Sequence, residues 1–192
     1  MVIEKKINIK KFPAIYGIGN PIVDLIFHVS DDEIKALELK KGTMSLVSKN
    51  RQTEIIDYLK IKNASVFPGG SAPNTIIACS GLGTPSALSG KIGDDNFGKI
   101  YLDQIKKHNV ISRVVQGNGS TGTSVVLITP DAERTMNTHL GMCREFNEKD
   151  IDEKLLRNSS FLYFTGYMWD TESQKNAIQK AVKIAKESNL KI

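Results

Sequence analysis

Cysteine is scarce in this chain: Cys79 and Cys143 stand alone without CxxC spacing, and His28, His108 and His139 are scattered. That pattern excludes a disulfide framework and any metal site recognisable from ligand spacing. No stretch approaches the roughly 20 apolar residues needed to cross a bilayer, and the lysine-containing start has no apolar run of signal-peptide length. The expectation is a cytoplasmic protein with no membrane partner. A Walker A loop, GxxxxGK followed by Ser or Thr, is missing. Gly17-Ile18-Gly19 lacks the third glycine of a dinucleotide fingerprint and runs into Pro21, where a helix would have to begin, so an NAD-dependent enzyme is a poor reading.

What is present is an ordinary globular composition. The 192 residues are 40% hydrophobic and 24% charged, enough for one core, and disorder and collagen-like repeats are excluded. The formal charge of +5 and the isoelectric point near 9.1 invite a nucleic-acid reading. Lys5, Lys6, Lys10 and Lys11 against Glu4, however, place a net +3 in the first twelve residues, ahead of any periodic pattern. No Arg/Lys stripe with interleaved aromatics follows, so a solvated basic tail is expected and no nucleic-acid partner.

Hydrophobic periodicity predicts strands at 14–18 and 23–29 around a sharp bend. A short helix to about residue 39 is opened by the capping-box spacing of Ser30 and Glu33. A strand at 44–47, a helix at 51–60 and a strand at 64–67 follow. Ser71 is expected to cap the next helix, with Pro73 early in it. Beyond lie a strand at 86–92, a helix at 96–107 and an extended stretch at 110–115. A hairpin of 123–129 with 134–140 turns through Pro130-Asp131-Ala132-Glu133. A helix at 148–156, a buried-type strand at 161–164 and a long amphipathic helix at 171–188 complete the pattern.

Alternating βα units imply a parallel sheet covered by helices. The last helix leads into an apolar start, Leu190-Lys191-Ile192. A crossover helix normally delivers the chain to the next parallel strand, so the sequence reads as cut inside a βαβ unit. Such an interruption would leave an unpaired sheet edge and a chain prone to aggregate.

Four clusters have chemical potential. Asn20 and Asp24 lie beyond the carboxyl end of the first strand, where open α/β sheets bind ligands; a carboxylate there suits adjacent sugar hydroxyls, while turn chemistry and solvation are the alternative. In Pro68-Gly69-Gly70-Ser71-Ala72-Pro73-Asn74, two glycines let backbone approach a ligand and Asn74 sits in the first helical turn; a plain turn is the alternative. The carboxylates of Gly93-Asp94-Asp95-Asn96 read as helix caps, not metal ligands. Arg134 is either a salt-bridge partner of Asp131 or Glu133, or a mobile cation that closes over a transferred phosphate.

Together these motifs carry a resemblance. Gly17-Ile-Gly-Asn-Pro-Ile-Val-Asp24, Gly69-Gly-Ser-Ala-Pro-Asn74, Gly90-Lys-Ile-Gly-Asp-Asp-Asn-Phe-Gly98, Thr121-Gly-Thr and Arg134-Thr-Met-Asn-Thr-His-Leu-Gly141 occur in the order and spacing of the PfkB (ribokinase-like) carbohydrate kinases, and most resemble the adenosine kinases among them. The resemblance implies ATP- and Mg²⁺-dependent transfer of a phosphoryl group to a primary hydroxyl of a nucleoside or sugar. It implies a ribokinase-like α/β domain with a small β lid, here in segments 22–48 and 111–142, over a chain that supplies the N-terminal part of that domain. Asp24, Gly69, Gly70 and Asn74 would hold sugar hydroxyls beside Asn20. Ser124, Met136, Thr138 and Leu140 would lie near base or sugar, and Arg134 near phosphate. Family members also pair through the lid, so a homodimer is one expectation.

One departure matters. The family's catalytic Asp lies in a Gly-Ala-Gly-Asp segment near the C-terminus, and this sequence contains no such segment. The chain is therefore expected to provide the acceptor site while lacking the base, the anion hole and most of the ATP site, and to be inactive alone. A non-catalytic nucleoside- or sugar-binding module, or a subunit completed by another chain, is the alternative.

Overall fold

The computed structural model describes residues 12–59 and 62–192. The basic tail of Lys5 to Lys11 and the expected end of a helix at Lys60 lie outside the described residues. Among the described residues nine strands form two sheets, with helices between and around them.

The first sheet is parallel throughout. Its strands are β1 (Ile15–Ile18), β5 (Ser86–Gly93), β6 (Ile111–Gly117) and β9 (Phe161–Phe164), in the spatial order β6-β5-β1-β9. Both faces are covered, as a parallel sheet requires. On one side Leu88 and Ile92 of β5 join Ile76 of α3 (Ser71–Gly81) and Tyr101 and Ile105 of α4 (Asn96–Lys107). On the other, Tyr16, Ile18, Ala87 and Leu162 pack on Leu155 and Leu156 of α5 (Glu153–Arg157) and on Ala177, Ile178, Ala181 and Ala185 of α6 (Glu172–Glu187). The alternation along β1 explains Gly17: a Cβ there would strike the Ile76 side chain at 2.5 Å or less. After α6 the chain returns to this sheet, where Lys191 forms an isolated parallel bridge with Phe161.

The second sheet is mixed, in the order β3-β8-β7-β2-β4. It contains β2 (Ile22–His28), β3 (Met44–Leu46), β4 (Ser65–Gly69), β7 (Gly122–Ile128) and β8 (Arg134–His139). Val23, Leu25 and Phe27 of β2 and Val125 and Leu127 of β7 face a core shared with Ile34 of α1 (Asp31–Ala36) and Ile55 of α2 (Lys49–Tyr58). The predicted hairpin is β7 and β8, antiparallel with Ser124 opposite Thr138.

Three sequence expectations need correction. The lid segments 22–48 and 111–142 match the second sheet only in part: β6 lies in the first sheet, because it pairs in parallel with β5 over Ala87 to Gly93, and β4 joins the second by pairing antiparallel with β2. Ser71 does not cap α3. The cap is Gly70 at φ +101°, where a Cβ would collide with the Asn20 carbonyl oxygen, so the close passage of backbone selects glycine and leaves Ser71 as the first helical residue. The helix expected at 148–156 is broken at Ile151. Asn147 and Asp152 each bind a nearby backbone N–H, giving a 3₁₀ turn at Glu148–Asp150 and then α5. The Ser30–Glu33 capping box forms as expected.

Candidate functional site

A cavity of about 550 Å³ lies between the two sheets, at the carboxyl ends of β1 and β9. Its size falls within the roughly 300–1,000 Å³ usual for small-molecule pockets. β1 ends at Ile18, and Gly19-Asn20-Pro21 carry the chain across the cavity floor into β2, so one bend serves both sheets.

The second sheet forms one wall by strict alternation. Register partners share a face, so Asp24 of β2, Ser124 of β7, Thr138 of β8 and Leu46 of β3 form a row. A second row brings Met136 beside Met44, and Arg134 follows at the outer end of β8. Asp24, Ser124, Thr138, Leu46, Met136, Met44 and Arg134 all line the cavity. Ser124 and Thr138 are buried and share a hydrogen bond of 2.8 Å between their hydroxyls.

Asp24 is half-buried and receives no hydrogen bond from any described residue. Burial pushes its carboxyl up to about 6, and the charge of the Arg134 guanidinium works against that rise. A partly desolvated carboxylate with free acceptor capacity is poised to take hydroxyl donors. Gly69, directly after Phe67 and Pro68 in the antiparallel partner of β2, leaves the space it needs: a Cβ there would stand 2.5 Å from the carboxylate. Gly70 and Asn74 of the α3 start line the cavity beside it. The Asn74 backbone N–H is spent on the Gly70 carbonyl at 2.9 Å, so its exposed side-chain amide is the group that can reach a ligand.

Arg134 makes no ion pair with its turn neighbours. Asp131 instead pairs with Lys41 at 2.7 Å and accepts from the Thr129 hydroxyl at 2.6 Å, which leaves the guanidinium facing the cavity. Asp95 caps α4, accepting from Gly98 N at 2.9 Å and from the Thr121 hydroxyl at 2.6 Å. Burial alone would raise its carboxyl, and the Thr121 and backbone bonds hold it below the ordinary range. Among the described residues no group of three or more His, Cys, Asp or Glu is disposed to hold a metal ion.

Nine of the ten residues singled out from the sequence line this one cavity: Asn20, Asp24, Gly70, Asn74, Ser124, Arg134, Met136, Thr138 and Leu140. Gly69 stands behind Asp24 rather than in the lining. Asn20 is buried and already engaged, donating to the Tyr167 carbonyl at 3.2 Å and accepting from Gln174 at 2.9 Å. Sequence reasoning missed the opposite rim, Thr165 to Asp170, with the half-exposed Tyr167 and Trp169, and it missed Met44 and Leu46. A signal for the rim existed: β9 is parallel to β1, so the loop after β9 opens on the same end of the sheet as Asn20.

A parallel, helix-covered sheet with a β-sheet wall over a carboxylate-bearing pocket at its carboxyl end defines the ribokinase-like class of α/β folds. Residues 44–191 match the pfkB family carbohydrate kinases, and the chain belongs to that family. The chain is 26% identical over 157 residues to an adenosine kinase of Dictyostelium discoideum, covering 78% of this chain and 46% of that protein. It is 27% identical over 125 residues to probable fructokinase-2 of Arabidopsis thaliana, covering 63% of this chain and 38% of that one. The crystal structure of adenosine kinase from Sinorhizobium meliloti superposes with a TM-score of 0.83 at 32% identity, over 93% of this chain and 54% of that one. The chain thus spans about half the length of such relatives.

Proposed function

We propose that this chain supplies the acceptor half of an ATP-dependent kinase that phosphorylates a primary hydroxyl of adenosine or a closely related nucleoside. Asp24, with Asn74 and the Gly70 backbone, takes the sugar hydroxyls. Met44, Leu46, Met136, Tyr167 and Trp169 flank the base. The second sheet acts as the lid, and Arg134 neutralises phosphate charge as transfer proceeds. The observation that carries the reading is the mixed lining of the cavity: a half-buried carboxylate, Asp24, with no hydrogen-bond partner among the described residues, together with Met44, Leu46, Met136, Tyr167 and Trp169. A plain sugar has no use for so much apolar lining, which favours a nucleoside over fructose or ribose.

ATP use is what membership of a kinase family implies. The 192 residues contain no Gly-Ala-Gly-Asp segment to furnish a catalytic carboxylate, so binding without transfer is the expected behaviour of the chain alone. Calorimetry with adenosine, ribose and fructose, followed by an ATP-dependent phosphorylation assay, tests both halves. Adenosine binding without turnover supports the proposal. Failure to bind at millimolar adenosine sinks the acceptor-site assignment, and turnover above ~1 s⁻¹ sinks the claim of inactivity.

A further inference from the structure

Gln174, one turn into α6, is fully buried, yet it touches no part of the cavity. Its Nε2 donates to the Cys143 carbonyl at 2.8 Å and to Asn20 Oδ1 at 2.9 Å. Asn20 Nδ2 in turn donates to the Tyr167 carbonyl at 3.2 Å. The two terminal partners are backbone carbonyls, which only accept, so the orientation of both amides is dictated and the relay has one direction. Gln174 Oε1 has no partner among the described residues. Its donating end serves the Cys143 carbonyl and Asn20 Oδ1, and an apolar side chain of similar size would take that donor from both.

We infer that Gln174 is a positioning residue which, through Asn20, fixes the Thr165–Asp170 rim against the 3₁₀ segment Gly141–Glu145 and so sets the width of the cavity. Cys143 follows the cavity residue Leu140 directly after Gly141 and Met142, and Tyr167 and Trp169 stand on the facing rim. The relay therefore joins the segment next to Leu140 to the one that carries Tyr167 and Trp169. A second tie joins the same segments at the surface: Arg144 pairs with Asp170 at 2.8 Å, half-exposed and correspondingly weak.

Trp169 is the chain's single tryptophan, so its fluorescence reads the rim without any ligand. Gln174→Met keeps the volume and removes the donor. Asn20→Asp keeps the acceptor for Gln174 and removes the donor to Tyr167. Each is expected to raise acrylamide quenching of Trp169 and shift its emission to the red. The double variant should go no further than either alone, because both cut one relay. Arg144→Ala should leave the emission near that of the parent. In the unaltered chain, the Gln174 side-chain amide protons should exchange as slowly as core backbone amides. Adenosine affinity should weaken about three- to tenfold in both single variants, the loss of one hydrogen bond's contribution; only this arm rests on the proposed ligand, and an unaltered chain that ignores adenosine would sink that reading while the fluorescence still judges the relay. Unchanged Trp169 emission in Gln174→Met, additive shifts in the double variant, an equal shift in Arg144→Ala, or fast exchange of the Gln174 amide would each overturn the inference.

Discussion

Along β1 and β5 of the parallel sheet, successive residues face two different cores: Leu88, and Gly17 where Ile76 fills the place of its missing side chain, face α3, while Tyr16, Ile18 and Ala87 face α6. Along β2 of the mixed sheet only alternate residues do so. Val23, Leu25 and Phe27 are buried, and Asp24 between them faces the cavity with Ser124, Thr138 and Leu46 in its row. The first sheet therefore buries both faces in cores, and the second buries one face and turns the other to the cavity. Substitutions should separate accordingly: in the first sheet they change how much protein is folded, and on the cavity face of the second they change what the folded protein binds.

The largest effect belongs to the first sheet. Leu88 is fully buried, and Leu88→Ala should cost about 2–5 kcal/mol in urea denaturation, with adenosine affinity of the folded fraction unchanged. Equal loss of affinity would blur the division between sheets. Next comes the cavity face. Asp24→Ala removes an ionised acceptor, worth about 1.5–3 kcal/mol for each hydrogen bond it makes, so adenosine affinity measured by calorimetry should fall by about 100-fold or more. Stability should hold or rise, since a carboxylate whose folded state disfavours ionisation has been removed. A loss of both stability and affinity would make Asp24 structural.

The same division explains what was legible in advance. Periodicity found the strands of both sheets, but not which sheet each would join: β6 and β7 follow one another through only a short turn and yet belong to different sheets. Local pattern carries no record of that choice, which rests on β6 pairing with β5 and β7 with β2. The candidate site was legible on the side where glycine and carboxylate clusters mark special backbone and charge, at Asn20, Asp24, Gly69 and Gly70. The facing rim was not. Tyr167 and Trp169 look in sequence like ordinary apolar residues after a strand, and only the pairing of β9 beside β1 brings them to the cavity. Gln174 was hidden for the same reason, since nothing local tells a buried amide from a solvated one.

The comparison sharpens with pH. Asp24 titrates at about 6 in the folded chain, raised by burial against the opposing charge of Arg134, where an ordinary carboxylate titrates near 3.8. The folded state thus holds its proton more tightly than the unfolded one. Its contribution to folding is fully present below about pH 3.8 and is lost as pH rises through 6. Binding runs the other way, because hydroxyl donors need the ionised carboxylate. Adenosine affinity should rise about tenfold between pH 5 and pH 7, as one proton is released at a site titrating near 6. In Asp24→Asn both slopes should vanish. An affinity profile that stays flat in the unaltered chain would remove Asp24 from the acceptor contact, whatever the outcome for stability.

The smallest expected effect tests whether the aromatic rim recognises anything. Half-exposed aromatic residues are common on protein surfaces and by themselves imply no ligand. Trp169 differs in lining the same cavity as Met44 and Leu46, so that apolar side chains stand both on the rim and on the sheet wall. Aromatic contacts of this kind contribute about 0.5–1.5 kcal/mol beyond burial, so Trp169→Ala should weaken adenosine binding by about three- to tenfold. Ribose carries no base and should bind the variant as it binds the parent. Leu82→Ala provides the control, because Leu82 is 87% exposed and lies away from the cavity, and it should change neither ligand. If Trp169→Ala weakens ribose as much as adenosine, the indole is holding the rim in place rather than meeting a base. The apolar lining of the cavity would then belong with the first sheet's kind of residue, selected for packing, and the case for a nucleoside over a sugar would lose its support.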